Sequence, residues 1–146
     1  MIQPPTRSIF AKSITALLIL LCCSAVYSAE LVLQSIDNLD NDQFHTDEGN
    51  SFKLIKLDQG CKIEARFFIS YENTLYQYFF QNRLDKANQK TYRYHYQKDH
   101  ELSLLHVTDV YQHASAILDI HAPDVKKDFH RYKALFPNKD LKLCDD

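Results

Sequence analysis

Glycine is nearly absent. The 146-residue chain holds two, Gly49 and Gly60, where ordinary usage gives about ten. Two glycines cannot build a phosphate-cradling loop, a dinucleotide-binding fingerprint or a G-x-S-x-G nucleophile elbow. Tryptophan is missing, and no repeat or low-complexity tract is visible. Hydrophobic residues make up 45% and charged residues 25%, which excludes wholesale disorder and fibrous architectures. At 17.1 kDa the chain is sized for one domain.

Long apolar runs are also lacking. The longest extends from Ile14 through Val26, well short of the roughly 20 residues that span a bilayer. Arg7 and Lys12 precede it with no acidic residue, and Ser28 and Ala29 follow before Glu30 opens the polar chain. This is the pattern of a cleaved secretory signal, so residues 1–29 are expected to be a signal peptide and 30–146 one exported domain, periplasmic or secreted. Cleavage after Ser28 sets Val26 and Ser28 at the specificity positions, whereas cleavage after Ala29 sets the bulky Tyr27 there. An uncleaved anchor is the competing reading. Cys22 and Cys23 raise the question of lipidation, but Leu21 and Cys22 stand where a small residue is wanted.

Losing Arg7 and Lys12 leaves 15 basic against 19 acidic residues, a net charge of −4 with neutral histidines. A mildly acidic domain is poorly suited to phosphate backbones, so nucleic acid is not expected as a partner. After cleavage no transmembrane segment is expected either. Two cysteines remain, Cys61 and Cys144. In an oxidising compartment they have one intramolecular pairing open to them, nominally worth about 4 kcal/mol for a loop of that length. The alternative, thiol chemistry, needs a thiolate beside a base, and nothing local supplies one.

The polar, acidic stretch from Asp37 to Asn50 reads as a loop between strands near Glu30–Ile36 and Phe52–Leu57. From Cys61 to Ser70 the chain alternates, with Ile63, Ala65, Phe67 and Ile69 on one side and Lys62, Glu64, Arg66 and Phe68 on the other, which predicts a strand. A turn at Glu72–Asn73 would pair Phe67 with Tyr78, Ile69 with Tyr76 and Ala65 with Phe80. A further turn within Gln81–Lys90 leads into Tyr92–Tyr96, and another strand is expected near Leu102–Val107. Asp109–His121 fits helix or strand, and a continuing meander favours strand. Val125, Phe129, Tyr132 and Phe136 recur at helical spacing between Pro123 and Pro137, predicting a C-terminal helix. The tail is then expected to return along the sheet to Cys61. The fold class is α+β: an antiparallel sheet of about five to seven strands with one C-terminal helix packed on it. The alternative is a small β-barrel with a helix plug.

Seven histidines, His45, His95, His100, His106, His113, His121 and His130, all lie after residue 29. None forms the i, i+4 or i, i+2 pair that metal ligands favour on helices or strands, although His95 and His106 could meet across strands. Asp40 and Asp42 alternate, but the central glycine and terminal glutamate of a calcium loop are misplaced. Glu64, Glu72 and Glu101 are candidate acid–base groups without a visible partner. No catalytic residue, metal ligand or cofactor is assigned.

Tyr92, Tyr94 and Tyr96 share one side of a strand, with Arg93 and His95 on the other. Core packing explains such a stripe; an exposed aromatic platform for a partner is the functional alternative. These five residues are the candidate binding surface. The expected function is a small exported, non-catalytic protein that binds another macromolecule in the cell envelope, of the inhibitor, immunity or assembly-accessory type. The alternatives are a small periplasmic hydrolase with its site in the sheet–helix groove and an envelope metal-binding protein using histidines. Sequence leaves the oligomeric state open.

Overall fold

The computed structural model describes residues 30–98 and 104–145. The expected signal peptide, His100, Glu101 and the first two residues of the strand expected near Leu102–Val107 lie outside these residues. Six strands, β1 (Leu31–Asp37), β2 (Asn50–Lys56), β3 (Cys61–Ile69), β4 (Glu72–Phe80), β5 (Leu84–Tyr96) and β6 (Val107–Leu118), form one antiparallel sheet in chain order. β1 and β6 are its two edges, so the sheet is open and not a barrel. Two short helices follow, α1 (Pro123–Lys133) and α2 (Asn138–Leu141), where one had been expected.

Alternation sorts the strands into two faces. Leu54, Ile63, Tyr78, Ala87 and Leu118 stand opposite one another across five strands, and Phe52, Ala65 and Tyr76 form the next row. This face is the core, and α1 lies against it. The i, i+4, i+7 stripe of Val125, Phe129 and Tyr132, extended by Phe136, is buried as its spacing requires. Tyr132 packs its ring against Phe44, Phe52, Phe67 and Tyr78, while Phe129 meets Tyr78 and Phe80. Aromatic residues thus fill the space that tryptophan and methionine leave to others.

Several expectations need correction. The β3–β4 turn is Ser70–Tyr71, not Glu72–Asn73, so Phe67 faces Thr74, Ile69 faces Glu72 and Ala65 faces Tyr76. Among the described non-glycine residues only Asn38 has a positive φ, so this turn carries no Asn or Gly signature. The slip is four residues; because it is even, every side chain keeps its predicted face. The turn expected within Gln81–Lys90 is Gln81–Arg83, and β5 already begins at Leu84; pairing with β4 overrides the weak strand propensity of Asp85–Lys90. Leu104–His106 is a 3-10 turn, and the next strand starts at Val107. Asp109–Leu118 is strand, as the meander suggested.

The tail does not return extended. Pro137 opens α2, and a 3-10 turn, Lys142–Cys144, carries Cys144 to the first residue of β3. Cys61 and Cys144 form a disulfide with Cα atoms 5.1 Å apart. Both are fully buried, and Gly60 before Cys61 has φ +70°, where a Cβ would collide with the Phe80 carbonyl, so no side chain fits there.

Candidate interaction surface

The face opposite α1 carries polar groups that satisfy one another. Lys62, on the row of Ile55 and Phe79, is buried to 5% exposure, and its ammonium donates to Glu30 at 2.9 Å and lies 3.0 Å from Glu64. Gln77 Nε2 donates to that same Glu64 oxygen, Oε1, at 2.9 Å. Burial disfavours both charges, yet their hydrogen bonds outweigh it: the Lys62 ammonium is held above its ordinary range and the Glu64 carboxyl below its own. Further along, Arg66 donates to Asn73, and Asn73 Nδ2 donates to the Tyr94 hydroxyl at 2.9 Å. The Arg66 guanidinium also sits 5.3 Å from the Tyr92 ring centroid.

The tyrosine stripe therefore belongs to this second face, away from α1. Tyr94 is buried, Tyr92 and Tyr96 are half-buried, and the Tyr94 and Tyr96 rings meet edge to face. They form a packed ladder with exposed rims, not a flat open platform. Arg93 and His95 project from the opposite side and stay exposed. Arg93 pairs with Glu72. His95 stacks on Tyr111 of β6 at 4.6 Å and lies 3.6 Å from Asp109. The five candidate residues thus flank one end of the β5–β6 ribbon from two sides.

Sequence reasoning gives β6 as a strand but does not place it at the edge of the sheet. This strand has twelve residues, ten of them exposed in an unbroken run, including Val110, Tyr111 and Ile117 at 48%, 37% and 83%. It pairs with β5 on one side only, so alternate backbone groups on the other side are unpaired with any strand. Asp109 and His113 are its only titratable residues apart from Tyr111, and it contains no lysine, glycine or proline. The available signal was the run Ala114–Ser115–Ala116–Ile117, whose small side chains leave a strand's backbone accessible.

Histidines do not gather. Among the described residues no group of three His, Cys, Asp or Glu side chains is placed to hold a metal ion. His45 lies near Asp40 and Asp47 on the exposed loop; His121 and His130 border a groove between α1 and the start of β5. That groove, the place expected for a hydrolase site, has no carboxylate among its described lining residues. Among the described residues no helix is long and apolar enough to cross a membrane. Comparison with family models, curated proteins and solved structures found no match for the chain.

Proposed function

We propose that this is an exported, non-catalytic binding protein that recruits a protein partner of the cell envelope by adding a strand to β6. The single observation that carries the reading is the long, exposed β6 edge. In strand addition, main-chain hydrogen bonds supply affinity and alternate side chains supply selectivity. On β6 those side chains are Val110 and Ile117 on one face and Tyr111 on the other, with His95 and Arg93 extending the second set. The tyrosines serve a supporting role: with Asn73 and Arg66 they stiffen β5, which holds β6 in place. Inhibitor, immunity and assembly-accessory roles all suit a small domain of this kind, since each needs a rigid surface and no chemistry.

Export is part of the proposal. A disulfide that joins the tail to β3 is at home in an oxidising compartment, and the signal pattern of residues 1–29 supports the same route. N-terminal sequencing of the exported chain should begin at Ala29 or Glu30. To test the contact, a photocrosslinking residue is placed at Ser115 on β6, and in a control at Lys127 on the exposed flank of α1. Expressed in the native host, the Ser115 form should yield one discrete protein adduct that disappears in the Ile117→Lys background, and the Lys127 form should not. No adduct at Ser115, or the same adducts from both positions, contradicts the reading.

A further inference from the structure

We propose that the groove between α1 and the β4–β5 turn binds a small amphiphilic anion: an unbranched acyl chain ending in a carboxylate. The groove measures about 350 Å³, within the range of small-molecule sites. Leu84, Ile120 and Phe129 form its apolar floor, while Arg83, Lys126 and Lys133 provide its cations. Their arrangement follows from helix geometry: Lys126, Phe129, His130 and Lys133 stand at i, i+3, i+4 and i+7, so α1 presents one flank of alternating charge and ring. Lys133 is already drawn over the floor, its ammonium 4.9 Å from the Phe80 ring centroid and 5.7 Å from that of Phe129.

A cation held over apolar surface matches a ligand whose charged head and hydrocarbon body are joined end to end. Two acids outside the described lining touch residues within it: Asp85 sits 3.7 Å from Arg83, and Asp119 accepts the backbone N–H of His121. Three formal positive charges and two imidazoles thus line a groove whose own described lining contributes no negative charge. A neutral alkyl chain would use only the floor, a bare inorganic anion only the rim. An alkylammonium would be repelled.

The test is a titration of the isotope-labelled protein, expressed as the full chain and isolated as its host leaves it, followed at the backbone amides of Leu84, Ile120, Phe129 and His130. Decanoate should shift these amides saturably, decanol should bind about tenfold more weakly or worse, and decyltrimethylammonium should leave them unmoved. Arg83→Glu combined with Lys126→Glu changes two exposed side chains, so the fold survives; decanoate affinity should fall by about tenfold or more. Lys133→Gln, which keeps the stem over the rings, should weaken binding less. The proposal is overturned if decanoate leaves these amides unmoved, if decanol binds as well as decanoate, or if inorganic phosphate shifts them equally well.

Discussion

The two edges of this sheet are treated differently. β1 spans seven residues, carries a bulge at Leu33, and buries that residue and Ile36 partly against the core. Glu30 at its start is tied to Lys62. The loop beyond it folds back so that Asn50 accepts from the Leu39 N–H and donates to the Leu39 and Phe44 carbonyls. Brevity, a bulge and anchoring are the devices by which proteins blunt an edge. β6 has twelve residues and no such anchorage along most of its length; its irregularities, at His113 and Thr108, leave Ala114–Leu118 in regular register. An edge left long and accessible, at the opposite end of the sheet from one that is short and anchored, is what the proposed partner contact rests on.

That contrast can be broken at either end, and the largest effect belongs to the β1 side, at the first residue of β2. Asn50→Ala removes a buried amide and orphans the groups it serves, so chemical denaturation should show a loss of about 3 kcal/mol. Lys62→Ala leaves Glu64 half-buried beside Gln77 without its cation; the loss should be about 2 kcal/mol. The same pair predicts the acid side of the stability curve. Because Glu64 titrates below its ordinary value in the fold, its contribution is present above the unfolded-state value and is lost as pH falls through the folded one. A wild-type minus Lys62→Ala difference curve should therefore narrow on acidification.

On the alkaline side Tyr78 and Tyr132 are both held well above the ordinary value of 10, chiefly by burial, with neighbouring acidic groups adding to it. The fold keeps its phenols neutral while the unfolded chain ionises, so stability declines as pH climbs beyond the ordinary tyrosine range. Phenolate absorbance from these rings should rise together with loss of the native circular dichroism signal. Separate transitions would show that the rings ionise within an intact core.

Smaller effects sharpen the comparison from the open side. Tyr96→Phe removes a hydroxyl that is buried without a hydrogen-bond partner among the described residues, and should be neutral or slightly stabilising, whereas Tyr94→Phe breaks the bond from Asn73 and should cost about 1 kcal/mol. Ile117→Lys should move stability by no more than about 0.5 kcal/mol and still abolish partner capture. A residue that matters to binding and not to folding is what an edge kept for docking requires.

Much of this architecture was legible in the residues. Strict alternation from Cys61 to Ser70 announced β3 and sorted its faces, and the stripe through Val125, Phe129 and Tyr132 announced α1. Both signals are periodic and survive small errors in registration. The β3–β4 turn was misread because Ser70–Tyr71 turns without glycine or asparagine, and the start of β5 because Asp85–Lys90 are polar residues held extended by their neighbour. Whether the tyrosines were core or surface depended on the parity of the β4–β5 connection, which a three-residue turn with a bulge at Phe79–Phe80 decides. The exposure of β6 was hidden for a different reason. An edge is defined by which strands lack a neighbour, and no property of Val107–Leu118 taken alone states that.

The most direct measurement is backbone amide exchange on both edges of the labelled protein, alone and mixed with the envelope fraction of its own host. The account predicts that the amides of Val110–Ile117 not bonded to β5 exchange freely in the isolated protein and become protected in the mixture, while Leu31–Asp37 is unchanged. Protection appearing along β1, or none along β6, would contradict it.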